Sequence, residues 1–164
     1  MTEQGLRDRF LYRCQCAIGV HEIPNGSNRG PQVDFYQLHY GAKYLGSYWC
    51  AEFLGYELDH AAEDIGAPKP FHIDPSCGQI RHDAQSKGRI VLSKDIKPAD
   101  LVLFGAPPHH VGVVTGILQG VIDTIEGNTT PTPGIQPNGG GVYPKHHLIT
   151  ADMLFVNVCA PIPT

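Results

Sequence analysis

Three observations predict an α+β fold for this chain. Before residue 67, apolar side chains recur at intervals of three and four, the period of a helix face. From residue 98 onward they come in short β-branched runs bounded by glycine, the pattern of strands. The connections between those runs are short, which suits an antiparallel sheet rather than the long crossovers of a doubly wound one. A chain of 164 residues fits one domain and can bury a core without metal or disulfide staples.

The first helix is expected over 3–18, where Leu6, Phe10, Leu11, Cys14, Ala17 and Ile18 share a face and Gly19 supplies the stop. Residues 22–31 are rich in turn formers and serve either as a connection or as the wall of a site. A second short helix is expected over 32–40, with Pro31 near its first turn. A third follows Trp49, carries Phe53, Leu54, Leu58, Ala61, Ala62 and Ile65, and ends at Gly66 and Pro68. Residues 67–97 read as a long excursion with one short helix over 77–86; it either builds part of a site or only covers the core. Strands are expected at 100–104, 110–116, 120–127, 141–143 and 153–159, with a Gly/Pro/Asn/Thr loop over 127–141. The chain has no internal repeat and no interdomain linker, so residues 1–164 read as a single domain.

Composition narrows the function. The formal net charge is −4 and no Lys/Arg run is dense, which argues against nucleic-acid binding. No apolar run approaches a membrane span, so membrane insertion is not expected. Residues 1–10 are polar and charged, unlike a signal peptide, so cytoplasmic synthesis is expected and any export would use another route. Gly and Pro, at 19 and 14 residues, make up about a fifth of the chain and imply many loops. The five cysteines, Cys14, Cys16, Cys50, Cys77 and Cys159, form no CxxC pair, so a structural zinc site is unsupported. Cys14, Cys16 and Cys159 read as small buried hydrophobes. The pairs His109-His110 and His146-His147 would point to opposite sides of a strand and make a poor chelate. No metal and no cofactor is expected.

Cys50 stands apart. It follows Tyr48-Trp49 at the start of the third helix, where unpaired backbone N–H groups and the positive end of the helix dipole favour a thiolate, the nucleophilic form. A thiol nucleophile needs a base and a group that orients the base. His110 opens the second strand and Glu126 closes the third; if the two pair as a hairpin, the residues are neighbours. Cys50 would then attack a carbonyl carbon. His110 would move the proton, and Glu126 would hold the other ring nitrogen. Asn128 either shares the orienting role or is a turn residue. The backbone N–H of Cys50 would be one oxyanion donor. His109 is the rival base, because a shift of one residue exchanges the side chain that faces the site. Asn28 and Arg29 shape the cleft mouth, hold a substrate carboxylate, or form a hydrogen-bond pair that fixes their loop. Tyr48 and Trp49 are core and cleft wall or contacts to substrate.

These residues also resemble a known family, the cysteine/histidine-dependent amidohydrolase/peptidase (CHAP) domains of the NlpC-type papain-like group. The resemblance rests on Tyr48-Trp49-Cys50-Ala51-Glu52-Phe53, the run 98–104, His110-Val111-Gly112-Val113-Val114-Thr115-Gly116 and Ile125-Glu126-Gly127-Asn128-Thr129, in that order. Gly139-Gly140-Gly141-Val142-Tyr143 and the upstream runs 22–24 and 27–31 are also similar, the latter to phage-type members. The match spans residues 20–145. It implies a papain-like fold, with N-terminal helices packed on an antiparallel sheet of about five to six strands, and it implies cleavage of an amide bond in peptidoglycan. The expectation is a monomeric phage endolysin or virion-associated lysin without a separate wall-binding domain, made in the host cytoplasm and acting on the wall after release. The alternatives are a bacterial wall-degrading amidase effector and a non-catalytic phage module on the same fold. Two features depart from the family: His109 stands where members usually have glycine, and residues 41–49 lack the carboxylates with which some members bind calcium.

Overall fold

The first helix starts where a side chain can cap it. In the computed structural model, which describes residues 2–136 and 138–161, Thr2 accepts a hydrogen bond from the Gly5 amide at 3.2 Å and opens α1 (Glu3–Cys16). Leu6, Phe10 and Cys14 form its buried stripe. Arg7 is buried on the same helix and donates to the Pro98 carbonyl at 2.7 Å while pairing with Asp100 at 2.9 Å, which ties α1 to the start of the sheet. The helix ends two residues short of the expected 18, with Ala17 as its cap, and the Gly19 amide turns to the Val142 carbonyl. Cys16 lies off the buried stripe and is exposed, which corrects its reading as a core residue; Cys14 and Cys159 are buried.

Helix α2 (Pro31–Leu38) has proline in its first turn, as expected, and buries Val33, Tyr36 and Gln37. Helix α3 (Cys50–Asp64) is the central element: Cys50, Ala51, Phe53, Leu54, Leu58, Ala61 and Ala62 are all buried in the main core. Arg13 of α1 pairs with Glu57 and Asp64 of α3, each at 2.9 Å. One glycine sets the close approach of the following segment. A Cβ on Gly55 would fall 1.6 Å from the Tyr40 hydroxyl oxygen, so only glycine lets Tyr40 cross α3 and donate to the Ile73 carbonyl at 2.6 Å. That bond holds residues 71–76 against α3 and so places α4 (Cys77–Ser86), which covers the predicted 77–86 and is capped by Ser76.

The remaining chain forms one antiparallel sheet from β1 (Ile90–Val91), β2 (Leu101–Phe104), β3 (His110–Leu118), β4 (Val121–Thr129), β5 (Gly141–Leu148) and β6 (Leu154–Val156), in the order β1-β6-β2-β3-β4-β5. β1 lies in the stretch read as an excursion, and its two residues are too few to show an alternating pattern. β5 runs past the predicted end at 143 through Pro144, because it is an edge strand and a missing N–H on the open side breaks no ladder bond. Alternation along the strands gives the sheet two buried faces. Leu101, Leu103, Val111, Val113 and Ile125 pack against the helices. Val102, Phe104, Val114, Ile122 and Phe155 form a smaller cluster on the other face. The described residues are thus an α+β domain of four helices and a six-stranded antiparallel sheet. No helix is long and apolar enough to cross a membrane.

Candidate active site

Cys50 is the first residue of α3, with Trp49 as the N-cap, so its backbone N–H is among those unpaired within the helix. The thiol is buried and has two polar neighbours, the His110 ring and the thiol of Cys77. Cys77 is in turn the first residue of α4. Two helix starts therefore meet at one point beside the first residue of β3.

His110 is fully buried and stacks on Phe104, with ring centroids 5.7 Å apart. Its Nε2 donates to Glu126 Oε2 at 2.9 Å. Glu126 Oε1 accepts from Thr124 Oγ1 and from His147 Nε2, both at 2.6 Å. An ionised carboxylate can only accept, so both imidazoles carry a proton on Nε2. That fixes the neutral tautomer of His110: Nδ1 bears the lone pair, and Nδ1 is the ring nitrogen left for the Cys50 side, with no other hydrogen-bond partner.

The register explains how Glu126 reaches across. Val113 opposes Ile125, which puts Gly112 beside Glu126 on the face that also carries Phe104 and His110. A Cβ on Gly112 would lie 2.7 Å from Glu126 Cγ. The glycine of the His-Val-Gly run thus leaves the room through which the carboxylate crosses β3 to the histidine.

The electrostatics follow from this packing. Burial alone would push the Glu126 carboxyl up, but the hydrogen bonds from His110, His147 and Thr124 hold it down at about 2. Burial pulls the other way on His110, yet the adjoining Cys50 thiol and the bond to Glu126 raise it to about 9. The adjoining Cys77 thiol, and then burial, push the Cys50 thiol well up, while His110 pulls it down. The proton of the neighbouring Cys50 and His110 groups is therefore pulled in two directions. Glu126 favours its placement on the ring; Cys77 and burial favour its placement on sulfur.

The other sequence-nominated residues are dispersed. His109 sits in the turn after β2, exposed, with its ring over Gly105, while His110 faces Glu126. Asn128 is fully buried at φ 54°, and among the described residues neither end of its amide has a partner, so it takes no hydrogen-bonding part in orienting the His110 ring. Trp49 has no exposed surface: it stacks on Tyr36, and its Nε1 donates to Glu22 Oε1 at 2.9 Å. It is a core residue that locks the 22–31 loop to the start of α3, and it offers no face to a ligand. Tyr48 is exposed. Arg29 makes a double contact with Asp34 at 2.8 and 2.9 Å, and the Asn28 carbonyl accepts from Gln37 Nε2 at 3.0 Å. Both residues thus fix their loop, through Asp34 and Gln37 rather than through each other.

His147, Thr124, Cys77 and Gly112 belong to the cluster and are missing from the sequence-nominated set. For Thr124 a signal existed, since residues 124 and 126 alternate onto one face; His147 had none, because its place depends on the register that sets it opposite Ile122. Cys77 had none, because its position depends on the path of residues 67–76. His146 points the other way, to Asp123 at 2.5 Å. Among the described residues no group of three His, Cys, Asp or Glu is arranged to hold a metal ion. Comparison of the chain with protein-family models, with curated proteins and with solved structures returned no match in any of the three.

Proposed function

We propose that the protein is a cysteine peptidoglycan hydrolase on a papain-like CHAP fold, a phage endolysin or virion-associated lysin that cleaves an amide bond of the bacterial wall. One observation supports it above all: a buried cysteine at a helix start adjoins the ring of a histidine whose Nε2 is held by a buried carboxylate. Transfer of the thiol proton to Nδ1 of His110 leaves a thiolate facing the substrate carbonyl carbon. The backbone N–H of Cys50 donates to the oxygen on which charge builds up. His110 then protonates the leaving amine, the thioester remains on Cys50, and His110 takes a proton from the water that releases the acid. Glu126 stabilises the imidazolium at each stage without being protonated.

Replacement of Cys50 by alanine is expected to lower wall lysis at least about a thousandfold while the circular-dichroism spectrum and melting point stay near those of the parent. Equal loss of turbidity with mutant and parent would end the hydrolase reading. Mass spectrometry of products from purified peptidoglycan identifies the bond. A new free amine within the peptide marks an endopeptidase, and intact released stem peptides mark an amidase.

A further inference from the structure

Just ahead of Cys50 and Cys77, the loops containing Ser47-Tyr48 and Asp74-Pro75-Ser76 border an open, shallow cavity of about 280 Å³. Its polar lining consists of two carboxyl groups, Glu52 and Asp74, and the hydroxyls of Tyr44, Ser47, Tyr48 and Ser76; no Lys, Arg or His lines it. Glu52 is only 1% exposed, and its Oε2 has no hydrogen-bond partner. Its Oε1 lies 3.0 Å from Ser47 Oγ, but that hydroxyl has a single proton and a closer acceptor, the Tyr44 carbonyl at 2.6 Å. Glu52 is thus a buried carboxyl with little in the protein to balance a negative charge. Burial pushes it up to about 7; its own backbone N–H and Ser47 offset only part of that, and Asp74 adds repulsion. A buried acid without a cation, beside an open cavity that holds a second carboxyl group and no basic side chain, is an arrangement that a cationic ligand would complete.

We propose that this cavity binds a protonated primary amine of the substrate between Glu52 and Asp74 and thereby sets the neighbouring amide over Cys50. The placement over Cys50 rests on the hydrolase reading above; the amine pocket itself does not. The amine supplies the charge that Glu52 lacks, and the hydroxyls of Ser47, Tyr48 and Ser76 are positioned to take part in its hydrogen bonds. Selection is thus for wall peptides with a free amine close to the cleaved bond.

The test compares purified peptidoglycan with the same material after N-acetylation of its free amines. The parent protein is expected to lose about tenfold in rate on the acetylated wall, the size of one lost charged hydrogen bond. Glu52→Gln and, independently, Asp74→Asn are expected to start about tenfold lower on the native wall and to be indifferent to acetylation. Equal parent rates on both walls, or variants as active and as sensitive to acetylation as the parent, would overturn the proposal. A second readout is independent of turnover: alaninamide and N-acetylalaninamide are titrated into the Cys50→Ala protein, with amide NMR shifts followed at Tyr48 and Ser76. Saturable shifts with alaninamide alone, abolished by Glu52→Gln, support the pocket. Equal response to both, or none to either, counts against it. Amine binding in a protein whose parent form cuts no wall would keep the pocket and remove the hydrolase reading.

Discussion

Glu126 carries the one carboxylate on which both buried imidazoles depend, and its effect on stability has a definite sign. Its folded value of about 2 lies below the ordinary 4.5, so its contribution is complete above about pH 4.5 and is lost as pH falls through 2. His110 behaves oppositely: raised from 6.5 to about 9, it stabilises fully below pH 6.5, and that contribution is lost as pH rises through 9. Glu126→Gln is therefore expected to cost roughly 3 kcal/mol at pH 6 and to flatten the acid limb of the melting curve. Thermal melts of both proteins between pH 2 and about pH 7 check this, and parallel curves would show that the carboxylate is not the stabilising partner. The adjacent histidines divide as sharply. His110→Ala is expected to cost about a hundredfold or more in wall lysis and His109→Ala little, since only His110 is buried against Glu126. The reverse ranking in a turbidity assay would place the base in the turn.

The β3–β4 hairpin turns these separate side chains into a site, and its weakest point chemically is the residue with no side chain. A methyl group at position 112 would meet Glu126 Cγ at 2.7 Å, closer than real contacts allow. Gly112→Ala is expected to push the carboxylate off His110, at a cost of about 1–3 kcal/mol in stability and a larger relative loss of activity. Chemical denaturation together with a lysis assay checks this; unchanged activity would mean that Glu126 can reach His110 by another path. The same hairpin shows how far local pattern carries. Val-Gly-Val-Val after His110 and Val-Ile-Asp-Thr-Ile before Glu126 read as paired strands, and the structure pairs them. Their bulge between Val114 and Gly116 leaves no mark in composition.

Across the molecule, what could be read from sequence divides by range. Periodicity and capping residues are local, so the four helices and five of the six strands are visible in the chain, with α4 at its observed bounds. Strand order is not local. β6 lies between β1 and β2, and nothing near residues 154–156 announces it. Similarly, Cys50, His110 and Glu126 follow from helix-start and hairpin logic, whereas Cys77 reaches Cys50 only because Tyr40 crosses Gly55 and pins the intervening segment. Trp49 shows the reverse error: an aromatic beside the nucleophile looks like a ligand platform, but its indole N–H is already bonded to Glu22.

The proposed nucleophile and its base come from opposite halves of the chain, residue 50 on α3 and residues 110–147 on β3, β4 and β5. A ribosome synthesising the chain releases the thiol long before the histidine and the carboxylate that would activate it. Under the proposed mechanism, a nascent chain that has not yet reached Glu126 lacks the carboxylate on which His110 depends. A truncated product ending before residue 121 is expected to show no lytic activity even at high dose, because His110 would lack the Glu126 carboxylate. Lysis assays on such truncations, against the full chain at equal concentration, measure that built-in delay.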